Sequence, residues 1–431
     1  MKKLALMMLA VASMSLFFWA GRFTASTPQF VLNNSASDDE LVAAFGDFIR
    51  AQRETMALYR NSSFYDDGQS RAEAYRGLLY DLVGSIRSAL QSTDYPRFMR
   101  VVDWSSKSGF DNPDNNYYMA RISDDADYRI LGNRGNTADL VFQLVIGQPG
   151  VRGAGTSTNV SVLYASDMHL DDSGNFEIIV SRDNPGPGVN WLPNGEGAET
   201  LLVRFTHNDW QIERDHPLYI ERIGNEGSSP PPLTSAAAAA MLRDVAITLY
   251  DRTATWHGLV DKAWTVMPRN HISSARPSQG GLVGQYSAFG TWDLADNEAL
   301  LLSTGISAAA YQGIELGNLW FVSLDYENRT SSLTPAQMQC SGDGRCYSVV
   351  AHTDPGVPNW LDTEGHQRGI IMLRWQGLTE SMTNELQPEA RVIPIEQVRQ
   401  ALPDDVPVFS AEQRVQQVRQ RRKAVHHRFG G

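Results

Sequence analysis

The sequence predicts a mainly β protein with helices. It is built as two tandem units, each a helical stretch followed by an antiparallel β-sandwich, and is closed by a C-terminal helix. Three observations carry that prediction. Short β-prone runs separated by Gly, Asp and Asn clusters fill two regions of the chain, and apolar residues at helical spacing precede each region. The second half also repeats the first at an offset of about 170 residues. Leu79-Tyr-Asp81 meets Leu249-Tyr-Asp251, Gly174 meets Gly344, Pro185-Gly186 meets Pro355-Gly356, and Arg204 meets Arg374. A nearly constant offset across a helix, a hairpin and a turn marks an internal duplication.

Lys2 and Lys3 ahead of an apolar run, 4–21, have the charged and hydrophobic regions of an export signal. Residues 1–26 therefore read as a signal peptide or an uncleaved N-terminal anchor, and the mature protein as periplasmic or otherwise extracytoplasmic. Ser37-Asp-Asp-Glu40 and Ser70-Arg-Ala-Glu73 have the form of capping boxes, each opening a helix. From residue 116 the runs 128–131, 140–146, 161–164, 176–180 and 200–205 read as strands and complete a first unit, 37–223. Residues 224–234 form a linker, because Pro and Gly/Ser there block both helix and central strand. The second unit, 235–380, opens with an Ala-rich helix over 236–264. It continues with strands at 300–302, 311–316, 319–322, 347–350 and 370–375. The remainder, 381–431, ends in a helix over 410–429 carrying Arg419-Gln-Arg-Arg-Lys423 and His426-His427. That helix is either a solvated end or a contact for an anionic membrane surface or an acidic partner.

At 431 residues, 42% hydrophobic and 20% charged, the chain can bury a large core. A net charge of -12 argues against nucleic acid, whose phosphates need a basic surface. Cys340 and Cys346 flank Ser341-Gly-Asp-Gly-Arg345, a hairpin turn, and in an oxidising compartment they read as a cross-hairpin disulfide. A free thiol pair or a metal site is the alternative.

The repeat is most distinct around Asn-Trp-Leu. Asn190, Trp191, Glu196 and Arg204 in the first copy match Asn359, Trp360, Glu364 and Arg374 in the second. These residues are either a turn-and-strut device or the lining of a pocket, where Trp stacks on a ring and Arg takes an anionic or hydroxyl group. Tyr326-Glu-Asn-Arg-Thr-Ser-Ser-Leu333, with Arg329 at its centre, suits a sugar or anion, or is an exposed loop. Asp111-Asn-Pro-Asp-Asn-Asn116 reads as a turn. Only the second copy carries His352, Asp354, Asp362 and His366, a set able to ligate a divalent metal or do acid-base work. No zinc-protease, nucleophile-elbow, phosphate-loop or dinucleotide motif is present, and no cofactor follows from the sequence.

Four stretches resemble bacterial proteins carrying the uncharacterised domain DUF1214. They are Asp111-Asn-Pro-Asp-Asn115, the run from Trp320-Phe-Val-Ser to Leu333, Val350-Ala-His-Thr-Asp-Pro-Gly-Val-Pro-Asn-Trp-Leu-Asp-Thr363, and Arg374-Trp-Gln-Gly377. The resemblance covers mainly 286–377, implies a jelly-roll-like sandwich and assigns no activity. Two functional readings follow. One is an extracytoplasmic binding protein holding a small amphipathic or saccharide ligand in a cleft of the duplicated sandwich, through Trp360, Arg374 and the 326–332 loop. The other is a hydrolytic or metal-dependent enzyme using His352, Asp354 and His366.

Overall fold

The computed structural model of the protein describes residues 28–32, 39–152, 158–278, 281–378 and 381–429. The expected export signal, 1–26, lies outside them. Two helices come first, α1 (Glu40–Arg60) and α2 (Gly68–Ala89). Aspartates cap both: Asp39 accepts from the Leu41 and Val42 amides, and Asp67 from that of Ser70. Ser70 and Glu73 are therefore not a capping box. Both lie inside α2, where Ser70 donates to the Phe64 carbonyl and Glu73 accepts from the Asn318 amide.

Strands β1 (Met99–Arg100), β2 (Asn115–Arg121), β3 (Tyr128–Asn133), β4 (Asp139–Ile146), β5 (Asn159–Tyr164), β6 (Asn175–Ser181), β7 (Asn190–Pro193), β8 (Ala198–Thr206) and β9 (Tyr219–Arg222) follow. They form two sheets, ordered β1-β2-β8-β4-β5 and β7-β6-β3-β9, which close on a core including Ile130, Phe142, Ile178 and Val203. Coil at 224–234 leads to α3 (Ser235–Val266), capped by Thr234. Then come β10 (His271–Ile272), β11 (Arg276–Pro277), β12 (Tyr286–Asp293), β13 (Glu298–Gly305), β14 (Tyr311–Gly317), β15 (Ser332–Leu333), β16 (Arg345–Ala351), β17 (Trp360–Asp362), β18 (Arg368–Gln376) and β19 (Glu389–Pro394). Their sheets are β10-β12-β18-β14-β15, with β11 beside β12, and β17-β16-β13-β19.

Every neighbour relation from β2 to β9 recurs ten strands later, including the parallel pairs β6/β7 and β16/β17. Register recurs too: Tyr117 lies opposite Arg204, and Ser287 opposite Arg374. The duplication is thus a property of the fold. Residues 319–322 are not a strand. Phe321 bonds back to the Asn318 carbonyl in a turn, and this aromatic run packs under the helices instead of joining a sheet. A Cys340–Cys346 disulfide closes the turn ahead of β16.

Alternation along β8 and β18 explains how the units meet. Leu201, Val203 and Phe205, like Ile371, Leu373 and Trp375, enter their own sandwich cores. Leu202 and Arg204, like Met372 and Arg374, point the other way, toward the other unit. Thr206 donates to Gln376 across the junction at 2.9 Å. Two positions equivalent under the duplication bond one another where a pseudo-two-fold axis passes.

The helices cross over this seam. α2 begins on the second unit, through Gln69 to the Glu364 carbonyl and Trp320 to that of Ser70, and ends on the first, where Ser88 bonds Gln148. α3 runs the reverse course, from Arg121–Asp244 and Thr255 to the Gly150 carbonyl toward Phe289 and Ile370 of the second unit. At the crossing, Thr253 donates to Asp81 at 2.7 Å.

After the short α4 (Val398–Ala401), the final helix α5 (Ala411–Phe429) is capped by Ser410. Arg414, Arg421 and Arg428, seven residues apart, lie buried along one face of α5. They bond Asp354, the Tyr326 and Ser332 carbonyls, and the Pro113 carbonyl, so α5 ties both units together and is not a solvated end along that face. The 111–116 turn beneath it is a buried junction, in which Tyr311 donates to Asp114 at 2.7 Å and Trp210 donates to the same carboxylate. His207 sits there fully buried. Burial, with the Arg428 charge beside it, pushes its imidazole from an ordinary 6.5 down to about 3. Between those values the unfolded chain holds a proton that the native one excludes. Stability should therefore fall with acidification below about pH 6.5, by up to about 1.4 kcal/mol per unit. Urea unfolding at about pH 7 and pH 5 checks this: His207→Gln should lose less stability over that interval than the native chain.

Candidate functional site

A cavity of about 290 Å³ lies between the facing sheets under the crossing helices. Tyr117, Met119, Leu202 and Arg204 form one wall, and Ser287, Phe289, Met372 and Arg374 form the other. These are the same positions of the two copies. α2 contributes Asp81 and Gly84, while α3 contributes Arg252, Trp256 and Leu259. Gly109 completes the rim at φ +70, a conformation that favours glycine, and an added Cβ would also press on the Trp256 ring at 3.3 Å.

Phe110 and Phe321 also line the cavity, at φ 53 and 62, the left-handed region that side chains with a Cβ avoid. The Phe110 amide donates to the Phe321 carbonyl at 2.7 Å, and the rings pack at 5.4 Å, which holds both in place. Backbone strain of this kind costs about 1–3 kcal/mol per residue and concentrates at ligand sites.

The charges in the cavity are arranged unequally. Arg374 forms an ion pair with Glu315 and donates to the Phe110 carbonyl at 2.8 Å. Arg204, its counterpart, bonds the neutral Gln143 and lies 5.8 Å from the Tyr117 ring centroid. Gln143 and Glu315 are themselves counterparts, facing Leu202 and Met372 in register. Arg252 is only 7% exposed and makes no hydrogen bond or ion pair with any described residue. Burial holds the Arg204 and Arg252 guanidinium groups below their ordinary range. Asp81 is occupied by Tyr59 and Thr253, and Asp111 by Ser323 with Lys107 nearby; burial raises both carboxyl groups.

No protein-family model matches the chain, and no curated protein does. Among solved structures, an uncharacterised protein from Burkholderia cenocepacia aligns with a TM-score of 0.77 at 27% identity, covering 84% of this chain and 99% of its own. That span exceeds either unit, so the two-unit fold is shared. A Vibrio parahaemolyticus protein aligns with a TM-score of 0.43 at 10% identity, over 74% of this chain and 99% of its own.

Of the residues singled out in the sequence, Arg204 and Arg374 meet in the cavity. Asp111 and Asn115 of the 111–116 turn also reach its lining, and the remaining candidates do not join them. Asn359 accepts from the Gln339 amide and donates to the Gln339 and Tyr347 carbonyls, and Asn190 does the same at His169 and Glu177. Trp360 and Trp191 donate to the Ala351 and Ser181 carbonyls. These four are the turn-and-strut device. Glu364 accepts from the Asp325 amide, and Arg329 pairs with Asp362. Tyr326 is buried against Trp210 with the Lys107 ammonium over its ring, so the 326–332 loop is a dock for α5.

His352 and His366 line a separate polar cleft of about 620 Å³, while Asp354 pairs with Arg414 elsewhere. Both His352 nitrogens are engaged, by Thr363 and the Leu294 carbonyl, and His366 contacts Glu73 and Gln69. Among the described residues no three His, Cys, Asp or Glu side chains are placed to hold a metal. Sequence reading missed Arg252, yet a signal exists. At the duplication offset its counterpart in α2 is Leu82, so an arginine replaces an apolar residue on a helix facing the seam.

Proposed function

We propose that the protein is an extracytoplasmic DUF1214-type binding protein that holds a small amphipathic ligand in the cavity between its two units. The observation that carries this reading is the lining itself, in which equivalent positions of both copies converge on one space with apolar and aromatic walls and a few arginines. Met119, Leu202, Met372, Phe289 and Trp256 favour a hydrocarbon or ring body over a saccharide, which needs polar walls. The disulfide and the charged-then-apolar N-terminal run support an oxidising, extracytoplasmic setting. No helix among the described residues is long and apolar enough to cross a membrane.

A bounded cavity predicts a chain-length optimum. Titration calorimetry with primary alcohols of increasing length should show affinity rising about fourfold per methylene, from about 0.8 kcal/mol each, and then stopping once the chain meets the far wall. Met119→Trp should move that limit to shorter chains. Affinity that keeps rising with length, or a limit indifferent to Met119→Trp, would place binding on the outer surface and remove the cavity reading.

A further inference from the structure

The two copies bring different charges to the cavity. Each copy aims one arginine of its β8-type strand at the cavity, but only the second supplies an acid to neutralise it, Glu315, where the first has Gln143. Across the cavity α3 adds Arg252, where α2 carries Leu82. The Arg252 guanidinium is buried, lines the cavity and has no hydrogen-bonding partner among the described residues. A desolvated cation of this kind carries a standing cost unless something pairs with it. The lining acids act on it only from a distance: Asp81 is the acid whose charge Arg252 feels most, but neither Asp81 nor Asp111, which lies beside Lys107, makes a hydrogen bond or a direct ion pair with the guanidinium.

We infer that the ligand carries a carboxylate or a similar compact anion, bound head-first by Arg252 in a cavity that Arg204 also lines, with its apolar body against the Met, Leu and Phe side chains of the facing strands. The inference rests on the cavity reading above and adds a headgroup and a direction to it. Arg204 offers the donors that Gln143 leaves free, and Arg252 offers its whole fork. A carboxylate accepts from the Arg252 fork in charge-assisted bonds, and the Arg204 charge on the same cavity adds to the field that favours an anion. A neutral hydroxyl at the same place leaves Arg252 unpaired, and an ammonium is repelled.

The test is calorimetric titration of the purified protein with octanoate, octanol and octylamine. Octanoate should bind at least about tenfold more tightly than octanol, and octylamine more weakly than either. Arg252→Leu should reduce the octanoate-to-octanol affinity ratio at least about fivefold, the ratio and not octanol binding itself being the readout. Gln143→Glu, which gives Arg204 the acid its counterpart has, should reduce the preference without touching Arg252, with circular dichroism confirming that both variants fold. Equal binding of octanoate and octanol overturns the anion inference and leaves the cavity reading standing. A preference that survives both variants also overturns it. Binding of none of the three overturns both readings.

Discussion

Arg374→Ala should cost about 3–5 kcal/mol of stability, while Arg204→Ala, at the equivalent position of the first unit, should cost far less. The two arginines share a strand position, a register and a cavity, and differ in what they leave behind. Removing Arg374 strands Glu315, 1% exposed, whose side chain has no hydrogen bond to any other described residue. Removing Arg204 strands only the amide of Gln143, which keeps its bond to the Gly281 carbonyl. A buried carboxylate without its counter-ion is among the most costly single defects, whereas a neutral amide costs about 1–3 kcal/mol at most. Urea denaturation midpoints of the two variants measure the difference. Glu315→Gln added to Arg374→Ala should recover much of the loss, as a double-mutant cycle requires. Equal losses at the two positions would contradict the assigned ion pair.

Arg421→Ala should cost about 3 kcal/mol or more and release α5. Its guanidinium, 4% exposed, lies 4.6 Å from the Trp210 ring centroid and bonds the Tyr326 and Ser332 carbonyls, the Ser332 hydroxyl and Gln337, all at 2.9 to 3.1 Å. Truncation leaves those buried acceptors unpaired and removes a tie between the two units. Arg419, two residues earlier and exposed, is the control, and its alanine variant should stay within about 0.5 kcal/mol of the native chain. Limited proteolysis should cut the α5 region of Arg421→Ala first. If both variants behave alike, the arginine seam is not what fixes the helix.

The architecture was legible because repetition does not depend on local propensity. The constant offset between Asp81 and Asp251, or Arg204 and Arg374, holds even where the strand signal is weak, as at β2 and β12. Local reading failed where tertiary contacts override pattern. Residues 319–322 look like a strand because they are apolar, but a three-layer junction of helix, sheet and aromatic cluster consumes them. Ser70 and Glu73 have the spacing of a cap but serve Phe64 and Asn318. The site was half legible. Arg204 and Arg374 could be chosen from the repeated motif, whereas Trp360 and the 326–332 loop, more conspicuous in sequence, serve hairpin closure and α5. What the chain does not announce is which face of a strand meets a distant helix, and so Arg252 and Trp256 were passed over as members of an Ala-rich helix.

The crossing of α2 and α3 over equivalent strands has the geometry of a homodimer held in a single polypeptide. In a true homodimer a dyad copies every charge to both ends of the space it passes through, so a molecule with a head and a tail meets identical surroundings at each end. Covalent fusion lifts that constraint. Leu82 and Arg252, or Gln143 and Glu315, differ without either half having to satisfy its own mirror partner. On the binding reading proposed above, the outcome would be one asymmetric site per chain, whose integrity, unlike that of a site at a subunit interface, does not depend on protein concentration.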